Sequence, residues 1–188
     1  QIESLKNFVN ENKLYLIGAY REDTYKKIDK KNYIVFYSNL IKEKGAEDAI
    51  KSYLNIPKEQ RLNWKMIIAG NKKDLIFYKY LYEEFSHEVS FFTDKTYVEY
   101  QNLLNESKIF IYPTKYKYEQ QPAVIIEALM NKMIVISYKW AGIKNMLPEE
   151  SSFLVEANID ELTNMLTKVI SLDSIDQDLE RSRDTFLN

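Results

Sequence analysis

The sequence predicts an α/β domain: three layers, with a mostly parallel sheet of about six strands and helices on both faces. Two observations predict it. From Asn32 onward, short runs rich in β-branched and aromatic residues alternate with longer amphipathic segments, which is the pattern of βαβ units. Those short runs are themselves apolar, as strands covered on both faces must be. The length of 188 residues suits one such domain and would be cramped for two.

Each element follows from its segment. Residues 1 to 30 are polar and lysine-rich and read as a connector or lead-in, with the apolar run 14–18 as a candidate strand. Residues 31–188 form the domain proper. Its strand candidates are 33–37, 64–69, 89–92, 109–112, 134–137 and 153–155. Helix candidates fall between and after them at 46–54, 74–85, 96–105, 121–131, 160–172 and 176–187. In open sheets of this kind, ligands bind outside the carboxyl ends of the strands, where strand order reverses. The loops to inspect are therefore 38–45, 70–74, 93–96, 113–121 and 138–145. Gly45, Gly70 and Gly142 fall in or beside them, either as plain turn chemistry or for close backbone approach.

Composition removes several classes of function. Hydrophobic residues at 45% and charged residues at 29% describe a chain with a real core. A net charge of −2 gives no reason to expect a nucleic-acid partner. The absence of cysteine excludes disulfides, thiolate metal sites and cysteine nucleophiles. His87 is the only histidine, which argues against histidine-based metal sites and Ser-His-Asp triads. No apolar run approaches the ~20 residues of a membrane span, and no signal peptide is visible at Gln1, so the chain reads as cytoplasmic.

One stretch is more informative than the rest, KIFIYPTKYKYEQQPAVIIEALMNKMIVIS. A strand runs into a polar loop, and the following helix is apolar from Ala123 to Met130 except for Glu127. An unpaired carboxylate in such a helix would cost several kcal/mol, so something must accept Glu127. Pro122 belongs in the first helical turn, which leaves the next peptide N–H groups uncommitted and favours an anion there. A phosphate at that end, with Glu127 taking hydroxyls of an attached sugar, satisfies both conditions. Pairing of Glu127 with a lysine such as Lys132, or tipping toward solvent as the helix ends, accounts for the carboxylate equally well.

Other signals carry less. There is no GxGxxG after the first strand, no GxxxxGK[ST] and no G-x-S-x-G, which points away from dinucleotide folds, P-loop enzymes and the usual hydrolase elbow. The Asp176-Gln177-Asp178 triplet reads as a solvated helix start. KYKY at 115–118 reads as a solvated loop that could also line a sugar pocket or clamp a phosphate. FYKYLYEEF at 77–85 has helical spacing and reads mostly as core.

Taken together, YSNLIKEKGAEDAI, WKMIIAGN, VSFFTD, KIFIYPT, EQQPAVIIEALMNKMIVIS, WAGIKNML and SFLVEANIDELTNML resemble the carboxyl-terminal domain of retaining GT-B glycosyltransferases, specifically glycosyltransferase family 4. The resemblance covers roughly residues 32 to 172. Its most specific element is the E-x7-E pair Glu119 and Glu127, with the KG loop upstream and the AG loop downstream. It implies a Rossmann-like domain, one half of a GT-B fold, that holds a nucleotide-sugar donor.

By that resemblance each family role falls on a position here. Lys44 is similar to the lysine that contacts the donor diphosphate, and Glu119 to the glutamate beside the transferred sugar. These two are the candidate catalytic residues. Glu127 is similar to the glutamate that bonds the ribose hydroxyls. The peptide groups of Gln120, Gln121 and Ala123 fall where the backbone meets diphosphate and sugar. Phe92, Thr93 and Asp94 match the loop beside the base, with Thr93 where a glycine is usual. Asn39 stands where the family carries an arginine, so one phosphate cation is missing. Asn145 stands where a glutamate is common.

The resemblance further implies a metal-independent hexosyltransferase without cofactor, with a UDP-sugar donor more expected than a GDP-sugar. The acceptor would be a glycan or lipid-linked glycan, in surface polysaccharide or glycoconjugate biosynthesis. It implies that the acceptor-binding amino-terminal domain is absent here, that this domain alone is inactive, and that the full-length protein can associate peripherally with the inner face of a membrane. Two alternatives stand beside it. One is a non-catalytic binding or scaffolding subunit of a glycosylation complex, which the Asn39 departure keeps open, and the other is a GT-B-fold epimerase.

Overall fold

The structure is a computed structural model describing residues 26–145, 147, 152–172 and 175. The expected strand at 14–18, the helix at 176–187 and the Asp176-Gln177-Asp178 triplet lie outside the described residues.

Among the described residues, six strands and five α-helices follow the predicted order, alternating up to the fifth strand, which the sixth follows without an intervening α-helix. The strands are β1 (Lys31–Tyr37), β2 (Lys65–Gly70), β3 (Ser90–Thr93), β4 (Ser107–Tyr112), β5 (Ile134–Tyr138) and β6 (Ser152–Val155). The helices are α1 (Ala46–Leu54), α2 (Leu75–Phe85), α3 (Tyr97–Glu106), α4 (Ala123–Met130) and α5 (Ile159–Ile170). Helix α4 starts two residues later than its pattern suggests. Pro122 is not in the first turn but is the N-cap, with φ −65° and ψ 112°, so its extended ψ sets the start of the helix one residue further on.

The strands form a single sheet in the order β3-β2-β1-β4-β5-β6, every pair parallel. From β1 the chain steps outward through β2 to β3, then crosses back to place β4 on the other side of β1. The order therefore reverses between β1 and β4. Helices α1 and α5 pack together on one face, with α2 beside α1 through a Tyr80 to Glu47 hydrogen bond of 3.0 Å, while α3 and α4 cover the other. Covered on both sides, the central strands are fully buried: Ile34, Val35, Phe36, Ile109, Phe110 and Ile111 are all 0% exposed.

The aromatic helix α2 buries Phe77, Leu81 and Phe85, four residues apart and hence on one stripe, and leaves Tyr80 and Tyr82 exposed. Core packing thus explains one side of FYKYLYEEF. No described helix is long and apolar enough to cross a membrane.

Candidate functional site

At the reversal point, two loops leave the carboxyl ends of adjacent central strands. The loop after β1 carries Asn39 and Lys44, and the loop after β4 carries Glu119, Gln120 and Gln121. Backbone contacts sew them together. The Lys115 amide and the Thr114 hydroxyl both donate to the Glu43 carbonyl, at 2.8 and 3.3 Å. Gly45, at φ +87°, allows the closest approach, because a Cβ there would stand 2.1 Å from the Pro113 carbonyl oxygen.

This closure brings the two candidate catalytic residues into direct contact. Lys44 Nζ lies 2.6 Å from Glu119 Oε2, and the two side chains are 14% and 9% exposed. The Tyr112 hydroxyl donates to the same oxygen at 2.8 Å, with Thr114 Oγ1 a weaker donor at 3.4 Å. Burial, reinforced by the Glu119 charge, pushes the Tyr112 phenol far above its ordinary range, so it remains a donor. The Lys44 ammonium also sits 4.4 Å from the centre of the Tyr116 ring. An ammonium has three donors, and Glu119 occupies one.

Two helix N-termini flank this pair. Helices α2, α3 and α5 are capped by side chains: Asp74 accepts from the Phe77 amide, Thr96 forms a capping box with Glu99, and Asn158 accepts from Asp160 and Glu161. No side chain caps α1 or α4. The two differ in charge, since α1 carries Glu47 and Asp48 in its first turn and α4 carries no acidic residue there. Helix dipole and first-turn charge together make the α4 end, at Ala123, the better place for an anion. Gln120 and Gln121 are exposed in the bend before it, and Gly142 closes over that bend. The Gly142 amide donates to the Glu119 carbonyl at 3.1 Å, and a Cβ on Gly142 would lie 2.1 Å from the Gln120 carbonyl oxygen.

Glu127, one turn along α4, is 6% exposed. Gln101 of α3 donates to its carboxylate at 3.2 Å, and Asn131 Nδ2 donates to Gln101 Oε1 at 3.3 Å and to the Glu127 carbonyl at 2.8 Å. A neutral amide therefore takes part in holding the carboxylate. Asn131 Oδ1 is buried with no hydrogen-bond partner among the described residues.

The remaining candidates lie further out. Asn39 is exposed on the β1 loop. Phe92 is half-buried and meets Tyr100 edge-on at 5.8 Å. Thr93, where the resemblance has a glycine, closes β3 as an ordinary strand residue, and the left-handed position is Asp94, at φ +55°. Asp94 is paired with Lys72. The KYKY segment divides its roles. Lys115 pairs with Asp48 at 2.8 Å, Tyr116 lies beneath Lys44, and Lys117 and Tyr118 are exposed.

Tyr112, Thr114 and Gln101 are site residues that sequence reasoning passed over. Tyr112 carries a readable signal, a polar tip at the carboxyl end of an otherwise apolar central strand. Gln101 looks like any polar helix residue until α3 and α4 are seen to pack. Among the described residues, no three His, Cys, Asp or Glu side chains converge as a metal site would require.

An open parallel sheet with a lysine, a buried glutamate and an uncapped helix start at its reversal point defines a Rossmann-like α/β domain. The chain belongs to the family of glycosyl transferases group 1, whose model matches residues 21–184. Solved structures agree in fold. TarM superimposes with a TM-score of 0.73 at 18% identity, over 90% of this chain and 34% of that one. WaaG, a glycosyltransferase involved in lipopolysaccharide biosynthesis, gives 0.70 at 15% identity, over 86% of this chain and 44% of that one. Anabaena HepE, solved in complex with UDP-glucose, gives 0.68 at 15% identity, over 84% and 43%. The chain thus spans less than half the length of these structures. No relative of curated function matches at the sequence level.

Proposed function

We propose that this domain binds the nucleotide-sugar donor of a retaining, family 4 glycosyltransferase. The observation that carries the reading is the meeting of Lys44 and Glu119 beside the uncapped start of α4, at the reversal of strand order. Breaking a sugar–phosphate bond leaves negative charge on a diphosphate, and preorganised donors aimed at that charge lower the barrier. Lys44 and the first-turn amides of α4 supply such donors without a metal. Glu119 lies beside them to orient hydroxyls of the transferred hexose, and Glu127 stands one turn deeper to hold the ribose. Gln120, Gln121 and Ala123 offer peptide groups to diphosphate and sugar, Phe92, Thr93 and Asp94 border the base, and Asn39 leaves Lys44 with a larger share of the phosphate charge.

A UDP-sugar is the donor we favour, in keeping with the UDP-glucose held by the similar fold of HepE. The acceptor, a glycan or lipid-linked glycan of surface polysaccharide or glycoconjugate synthesis, would be met by a second domain in a cytoplasmic protein able to work at a membrane face. The chain by itself should bind donor and turn over little. Titration with UDP, GDP and UDP-glucose, followed by thermal stabilisation and calorimetry, tests this. Stabilisation by UDP is expected, and none by any nucleotide would instead favour the scaffolding subunit that Asn39 keeps open.

A further inference from the structure

We infer that Tyr112 is a positioning residue for Glu119, pinning one carboxylate oxygen so that the other is presented to the transferred sugar. This rests on the donor-binding reading above. All the donors that described residues give the Glu119 carboxylate land on Oε2: Lys44 at 2.6 Å, Tyr112 at 2.8 Å and Thr114 at 3.4 Å. None of the described residues donates to Oε1.

The three donors differ in how firmly they are held. Lys44 reaches Glu119 on a flexible four-carbon stem, and a bound diphosphate would draw on the same ammonium. Thr114 is at the limit of a useful hydrogen bond. Tyr112 is fixed on every side. It is 1% exposed, its ring stacks on Phe36 at 6.1 Å and Phe110 at 5.9 Å, and its carbonyl accepts from the Ser137 hydroxyl at 2.6 Å. When Lys44 turns toward phosphate, Tyr112 remains as the rigid anchor of a carboxylate that is only 7% exposed. Its proton stays on the phenol, because burial and the Glu119 charge both oppose ionisation. The anchor needs only the hydroxyl, so Tyr112→Phe keeps the ring packing and removes the positioning bond alone.

The test is calorimetric titration of the whole chain with UDP, UDP-glucose and UDP-N-acetylglucosamine, for wild type, Tyr112→Phe, Glu119→Gln and the double variant. The expected wild type binds one UDP-sugar more tightly than UDP. Tyr112→Phe should leave UDP affinity within about twofold and weaken that UDP-sugar by about tenfold, the scale of one hydrogen bond to a charged group. The double variant should be no weaker than Glu119→Gln alone, because the phenol acts only through that carboxylate. Equal weakening of UDP and UDP-sugar, additive losses in the double variant, or unchanged UDP-sugar affinity in Tyr112→Phe would each overturn the inference. A wild type that binds UDP but neither sugar more tightly also overturns it. A wild type that binds no nucleotide fails the donor-binding reading itself.

Discussion

Replacing Lys44 by alanine tests the site twice, once without ligand and once with it. Without ligand, the change strips the ammonium from a carboxylate that is 7% exposed and leaves it the Tyr112 hydroxyl and a long contact from Thr114. Breaking a fully buried ion pair from one side costs about 3–5 kcal/mol. The remaining phenol donor and the residual exposure of both side chains, 14% and 9%, reduce that to about 1–3 kcal/mol. For a chain of this size the loss corresponds to a fall in Tm of roughly 3–10 °C. With UDP at a hundred times the wild-type Kd, the folded wild type gains about 2.7 kcal/mol. A tenfold loss of affinity in Lys44→Ala would cut that gain to about 1.4 kcal/mol at the same concentration. Differential scanning calorimetry with and without UDP reads both numbers. Glu119→Gln serves as the control, since it keeps the ammonium and should keep the UDP-induced shift. An unchanged ligand-free Tm in Lys44→Ala would refute the ion pair, and an unchanged UDP shift would refute the phosphate role.

Other outcomes follow from the same geometry. Glu127→Ala should lower stability by about 1–3 kcal/mol, since the Gln101 amide loses a buried acceptor, and should weaken nucleotide binding in calorimetry. Unchanged nucleotide affinity would remove Glu127 from the ribose role. Gly142→Ala should lower Tm and weaken UDP-sugar binding, because its Cβ would lie 2.1 Å from the Gln120 carbonyl and must displace the bend before α4, and wild-type values for both would contradict that contact. The phenol of Tyr112 is pushed above its ordinary value by burial and by Glu119. Its contribution is therefore fully present below the unfolded pKa near 10 and is lost as pH rises above it, because the unfolded state releases the proton first. Urea unfolding between about pH 10 and 12 should show a shallower decline in Tyr112→Phe, by up to about 1.4 kcal/mol per pH unit.

The sheet was legible because each strand declares itself locally. A run such as Tyr-Ile-Val-Phe-Tyr has no amphipathic helical face, and the spacing to the next such run leaves room for one helix. The ends of α1 and α3 were legible to within a residue, although only α3 is capped by a side chain. At α4 the N-cap is Pro122, which offers no side-chain cap, and the helix begins two residues after the expected start. Within the site, Glu127 was readable as a lone charge in an apolar helix, and Lys44 and Glu119 through the family resemblance. Their partners were not, because Lys44 and Glu119 are 75 positions apart and Gln101 and Glu127 are 26 apart, distances that only the strand order closes. The left-handed backbone at Asp94 was likewise beyond the pattern.

Strand order also explains why one small region concentrates the chemistry. At β1 and β4, where the strand order reverses in the middle of the sheet, neighbouring strands send their following loops to opposite faces, toward α1 on one side and α4 on the other. The crevice of an open α/β sheet lies between such loops, and both helices that follow them start without a side-chain cap. Gly45 against Pro113 draws the β1 and β4 loops together, and Gly142 of the β5 loop closes on Gln120 in the bend before α4. Side chains large enough to reach the centre, Lys44, Tyr112 and Glu119, come from the two strands' exits and meet on a single carboxylate oxygen. Moving the acid to any other strand exit would separate it from the lysine and from the uncapped α4 start. The cation, the acid and the helix end are thus tied together by topology, and a loss of contact between the β1 and β4 loops should remove nucleotide binding even with every side chain of the site intact.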